Sequence, residues 1–297
     1  MPRALAGIRR RSRRESLLLG PLMAAPAVLV VGVLIGYPLV RGFQTSIQSS
    51  GLYGTPRYIG LANYRDMIHD PGVAQAIVHT IEYLALAVTL ELVLGLAVAV
   101  TLHRAFRGRG LVLALLVLPW ALPSVVSGVL WRRVFDPDNG LLNSALLRLH
   151  LISEPQLWLS SSRWAIALIA LVHVWGVLPL ISLTLLAGLQ SIPDDVYSAS
   201  AVDGASPWRQ FRHITLPMLR PSIAIAVTLG TLMSISIFDE IYVLNGTALN
   251  TRSVLIEFYN TAFVNADFAH GTALAFLLAA CSALLGGAYV LSLRRAR

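Results

Sequence analysis

The chain has no lysine; all 23 of its basic residues are arginine. A phosphate-binding loop of the G-x-x-x-x-G-K-[ST] type sets a lysine ammonium against the β- and γ-phosphates, so that nucleotide site is excluded here. If the protein serves an ATP-driven process, another subunit binds the ATP. Cysteine is nearly as scarce. Cys281 is alone and lies inside an apolar run, which excludes a disulfide framework and a cysteine metal cluster and predicts a buried packing residue. Charge is thin as well. With 13% charged and 56% hydrophobic residues and a mean hydropathy of +0.69, a chain of 297 residues is too apolar for a soluble domain and reads as an all-α, polytopic membrane protein. The net charge of +8 does not indicate nucleic acid, because the arginines sit in short segments beside apolar runs and form no continuous basic face. There is no internal repeat and no low-complexity linker.

Six spans are expected, over about 17–40, 81–102, 111–130, 164–186, 221–244 and 270–293. The first follows a basic N-terminus, residues 1–16. Ser12-Arg13-Arg14 ahead of Leu17-Leu18 has the look of a twin-arginine export signal, but a 24-residue run is long enough to cross a bilayer and is read as an uncleaved span, with Gly32 and Gly36 forming a small-x-x-x-small face. Glu91 falls near the middle of the second span, where a carboxylate faces either a packed interior or a wet cavity. Pro119 and Pro123 should bend or unwind the third. Arg132 and Arg133 then fall on the outer side, offset by Asp136 and Asp138. The fourth span carries His173 and Trp175; His173 has no histidine or carboxylate at metal-ligand spacing and is read as a packing residue, so no metal site is expected. The fifth is the most polar, with Ser234, Ser236, Asp239, Glu240 and Tyr242 in its outer half. With both termini inside, 15 arginines fall on inner segments and 8 on outer ones, as the positive-inside rule requires.

A polar island, Ile192 to Pro217, interrupts the membrane-like sequence and falls on the cytoplasmic side. Ser191 can cap a helix that carries Asp194 and Asp195 on its first turn, where the macrodipole favours negative charge. Gly204 ends it, and Ser206-Pro207 supplies a fresh cap and first helical residue. Two short helices joined at Asp203-Gly204 follow. Val196, Ala199 and Ser200 share a small-residue face on one, and Trp208, Phe211 and Thr215 line the other.

Within this island, Ser198-Ala199-Ser200-Ala201-Val202-Asp203-Gly204-Ala205 followed by Ile214-Thr215-Leu216-Pro217 resembles the cytoplasmic loop of permease subunits of binding-protein-dependent bacterial ABC importers, in the maltose, glycerol-phosphate and trehalose branch. That loop reads roughly E-A-A-x-x-D-G-A, then about eight residues, then I-x-L-P. Ser198 stands where the family has glutamate, so a salt bridge from that position is not carried over. Ile59-Gly60-Leu61-Ala62-Asn63-Tyr64, Phe135-Asp136-Pro137 and Gly140-Leu141-Leu142-Asn143 also resemble the family. The Gly-Gly-Pro element expected after the fifth span is replaced by Gly246-Thr247-Ala248-Leu249-Asn250.

The resemblance implies a type I ABC importer permease in the bacterial inner membrane, itself non-catalytic. It implies a second permease subunit, two ATPase subunits that hold ATP and Mg, and an extracytoplasmic substrate-binding protein. Ser198, Ala199, Ser200, Asp203, Gly204, Ala205, Ile214, Leu216 and Pro217 would carry ATPase coupling. For the solute path, Trp120, Trp175, Ser234, Asp239, Glu240 and Tyr242 offer aromatic rings for the apolar faces of a sugar and carboxylates or hydroxyls for its OH groups; an equally weighted reading makes them membrane-interface residues. The same architecture importing a polyamine, phosphate or glycerol phosphate, and a self-contained secondary transporter, are the alternatives.

Overall fold

The computed structural model describes residues 23–49 and 55–295, so the basic segment 1–16 and the beginning of the first span lie outside the described residues. Among the described residues there is no strand beyond an isolated antiparallel bridge between Gln48 and Tyr58. Four helices are long and apolar enough to cross a membrane, and six spans result if each of two sharply bent helix pairs counts as one.

Helix α1, Met23–Ser46, is 24 residues long, and its most apolar stretch is wholly unburied within the chain. Gly32 and Gly36 lie in a π-helical turn with nothing near them, so the small-residue face is directed away from the rest of the chain. The helix leans on the last one lower down, where Gly42 admits Phe276 and Phe43 meets Phe276 edge to face at 5.7 Å. Its end is tied to α2, Ala62–His69. Buried Asn63 donates to the carbonyls of Ser46 and Gln48, both at 2.8 Å, and the Tyr64 hydroxyl bonds Ser46 Oγ at 2.8 Å. The G-L-x-N-Y element is therefore a clasp on the exit from the first span.

Helix α3, Pro71–His103, runs 33 residues and starts ten residues before the expected span. Asp70 is the reason: its Oδ1 accepts from Gly72 and Val73 amides at 2.6 and 3.1 Å, and Pro71 needs no amide partner in the first turn. At 1.5 Å per residue it is roughly 50 Å long and projects beyond a hydrocarbon core of about 30 Å. Helix α4, Arg109–Val117, passes through a 3₁₀ turn at Pro119–Ala121 into α5, Ser124–Val134, and the pair bends by 100°. Two prolines four apart remove two helical amides, and the bend is the expected result. Helix α6, Leu141–Arg148, is pinned by buried Asn143, which donates to Pro137 O and accepts from Trp158 Nε1 at 2.8 Å.

Helix α7, Ser162–Gln190, is the most enclosed span and packs along α3. Gly95 lets it approach: a methyl group there would press on Ile181. Helices α8, Asp194–Val202, and α9, Pro207–Met218, form the polar island, and α9 meets α10, Arg220–Ile235, at 66°. Ile192 and Leu219, at the two ends of the island, are buried with Leu185 and Leu189 in an inner apolar core.

The fifth span departs from the uninterrupted helix expected over 221–244. It breaks at Ser236–Phe238, and α11, Asp239–Asn245, starts anew. The adjacent carboxylates Asp239 and Glu240 explain the break, because a fresh helix N-terminus gives negative charge its favourable position. Helix α12, Val254–Val264, is an apolar helix in a segment read only as external, and α13, Phe268–Arg295, closes the chain. Cys281 lies exposed on α13, contrary to the buried position expected, since this span has much of its surface turned away from the chain's own core.

Candidate functional site

The polar island folds into paired helices for reasons visible residue by residue. The first helix is entered by Pro193 and not capped by Ser191, whose hydroxyl instead donates to Gly188 O at 2.7 Å. A serine directly after a long helix has that helix's free carbonyl within reach, and this contact wins over the cap. At the other end Gly204 has φ +76, and the amide of Ala205 reaches Ser200 O at 2.9 Å, the i+5 bond of a helix closed by a left-handed residue. Ser206 then caps α9, and Pro207 occupies its first turn.

Side chains fasten the two helices to each other. Ser200 Oγ accepts from Gln210 Nε2 at 2.9 Å and donates to Tyr197 O at 2.8 Å, and the Tyr197 hydroxyl meets Thr215 Oγ1 at 3.0 Å. Ser200, at the third motif position, is therefore an internal brace. Ser198 is exposed and returns its hydroxyl to Asp194 O. Thr215 is buried and stands apart in exposure from Trp208, which stacks on Phe211 with ring centroids 5.7 Å apart. Pro217 has no amide for the preceding turn; the π-helical turn Phe211–Thr215 directly before it absorbs the missing bond. The outward surface is apolar and bare: Val202 is 89% exposed and Trp208 67%. Ala199, Ala201, Asp203 and Gly204 are exposed with them, whereas Ala205 and Ile214 are half-buried and Leu216 faces outward. Beneath the loop, an open groove of about 810 Å³ is lined by Val93, Leu96 and Val100 of α3 and by Tyr197, Trp208 and Phe211.

The residues assigned to a solute path divide into groups. Trp120 occupies the 3₁₀ corner between α4 and α5 and is 58% exposed. Trp175 packs edge to face with Trp131 of α5 at 5.7 Å. Asp239 accepts a hydrogen bond from Ser124 Oγ at the start of α5. Tyr242 stacks on Phe238 at 5.6 Å and meets Tyr259 of α12 at 5.2 Å. Ser234 and Glu240 come together through a residue that sequence reasoning had set aside: His173 Nδ1 lies 3.2 Å from Glu240 Oε1, and its Nε2 lies 3.4 Å from Ser234 Oγ and 3.8 Å from Glu91 Oε1. Glu91 is fully buried, and neither of its carboxylate oxygens has a hydrogen-bond partner. Gly230 makes room for it, since a Cβ at that position would run into Glu91 Oε2. No local pattern announced this cluster, because its members come from α3, α7, α10 and α11. Arg132 Nη1 donates to Val243 O at 3.4 Å, and Asp136 is engaged by the backbone amides of Asp138 and Asn139.

Over 282 residues the chain is 34% identical to the trehalose transport system permease protein SugA of Mycobacterium tuberculosis, covering 94% of this chain and 90% of that one. Over 261 residues it is 33% identical to the trehalose/maltose transport system permease protein MalF of Thermococcus litoralis, covering 87% and 88%. Its fold matches a chain of a bacterial ABC transporter involved in import of the acidic polysaccharide alginate with a TM-score of 0.83 at 20% identity, covering 97% of this chain and 98% of that one. Residues 91–297, from the buried Glu91 through the braced loop to the end, match the binding-protein-dependent transport system inner membrane component, and the chain belongs to that family.

Proposed function

We propose that this chain is half of the translocation path of an ATP-driven importer for a sugar or sugar-like solute, and that it couples to a separate ATPase through the 192–217 loop. The observation that carries the coupling reading is the braced helix pair. Its fold is fixed from within by Ser200, Gln210, Tyr197 and Thr215, yet it leaves Val202 and Trp208 uncovered. An apolar surface held rigid costs little entropy to dock. The sugar reading rests on the two relatives' trehalose and maltose systems together with the aromatic and carboxylate side chains gathered at the outer half of the fifth span.

On this reading a second permease subunit encloses the path with this one, two ATPase subunits hold ATP and Mg beneath the loops, and an extracytoplasmic binding protein delivers the solute above. The chain is non-catalytic and crosses the inner membrane six times with both termini in the cytoplasm. Each bent or broken pair then counts as a single span. The arginine distribution supports that orientation. Closure of the ATPase dimer would move the loop and rock the spans between inward-open and outward-open states. The test is ATP hydrolysis by the reconstituted complex with its binding protein present, over trehalose, maltose, a polyamine, phosphate and glycerol phosphate. Stimulation by a sugar alone is expected, and stimulation by only one of the other solutes overturns the sugar assignment.

A further inference from the structure

Glu91, His173, Ser234 and Glu240 are brought to one place by four helices, yet they differ in access. Glu91 and Ser234 are sealed, the His173 side chain is 6% exposed, and the Glu240 side chain is 13% exposed. Glu240 is therefore the less enclosed carboxylate of the pair, and it sits in the first turn of α11, directly after the break at Ser236–Phe238. A broken helix leaves its outer piece free to reorient unless something holds it. His173 supplies a hold from the enclosed α7, and Ser234 on its far side fixes the ring. An ionised carboxylate only accepts hydrogen bonds, so Nδ1 carries the proton given to Glu240, leaving Nε2 to accept from the Ser234 hydroxyl at 3.4 Å.

We infer that His173 is a positioning residue for the solute path: braced from behind by Ser234, it holds the Glu240 carboxylate at the break in the fifth span, where that carboxylate receives the hydroxyl groups of the solute. This rests on the reading of Glu240 as a path residue. Charge-assisted hydrogen bonds to a fixed carboxylate discriminate sharply between solutes that offer hydroxyls and those that do not.

Two polar replacements separate the two ring nitrogens. In His173→Asn the amide nitrogen falls near the place of Nδ1 and keeps the donor to Glu240. In His173→Gln it reaches the place of Nε2 and loses that donor. The readout is sugar taken up per ATP hydrolysed by the reconstituted complex with its binding protein, using whichever of trehalose or maltose stimulates hydrolysis more. A merely structural role lowers uptake and hydrolysis together and leaves their ratio alone. Glu240→Gln and His173→Gln should each lower the ratio about tenfold, and His173→Asn should stay within about twofold of the parent. Equal ratios for the two histidine variants, with Glu240→Gln still impaired, overturn the positioning role alone. An unchanged ratio in Glu240→Gln removes the path reading itself, and the positioning role with it.

Discussion

Gln210 Nε2 donates to Ser200 Oγ across 2.9 Å, joining the second short helix of the 192–217 loop to the first at the third position of the loop motif. The bond lies between residues ten apart on either side of the Gly204 turn. It fixes the angle between the helices more directly than the turn itself does.

Breaking this bond should loosen the loop without unfolding the chain. Ser200→Ala and Gln210→Ala should each cost the paired helices about 1 kcal/mol, and the double variant should cost little more than either single one. Solute-stimulated ATP hydrolysis in the complex would report this as a several-fold loss in each single variant and a non-additive double.

Gly204 has φ +76 with open space around its Cα, so a substitution there acts through the backbone alone. Gly204→Val should strain the turn by roughly 1–2 kcal/mol or more, whereas Gly204→Asn should retain most coupling because asparagine tolerates the left-handed region. If uptake per ATP is the same in both variants as in the parent, the turn has no part in coupling.

Val202, 89% exposed, contributes little to the folded chain and is the barest apolar point of the loop. Val202→Asp should leave the thermal stability of the isolated chain within about 0.5 kcal/mol, while weakening its hold on the ATPase by about 2 kcal/mol. Copurification of the ATPase at graded concentrations measures the second effect, and melting of the detergent-solubilised chain measures the first.

Gly230→Ala places a methyl group against the Glu91 carboxylate. Overpacking of this kind costs about 1–3 kcal/mol, and shortening the partner in a Gly230→Ala/Glu91→Ala double variant should recover part of the loss in melting temperature. A single Gly230→Ala variant as stable as the parent would mean that the carboxylate has room the structure does not show.

Much of the loop was legible because its signals are local. Gly204, Ser206 and Pro207 announce their turn, cap and first helical residue by type and order, and Pro119 and Pro123 announce the bend in the third span. Ser191 misled because its hydroxyl, read as accepting from an amide of the next helix, instead donates to Gly188 O at the end of the helix before it. The break at Ser236–Phe238 was not foreseen within a span read as continuous over 221–244, although Asp239 and Glu240 side by side were the available sign. Glu91, His173 and Glu240 lay furthest from sequence reasoning. The three stand on different helices far apart in the chain, and only helix packing shows that they form one cluster.

If the loop docks as proposed, the ATPase covers the face carrying Val202. With Cys281 replaced by serine, a Val202→Cys variant carries one thiol, and its reaction with a water-soluble maleimide can be followed in the solubilised chain and in the assembled complex. Coverage predicts a rate at least about tenfold slower in the complex, as expected for a side chain desolvated at the centre of an interface. Equal rates in the two states would contradict docking through this face.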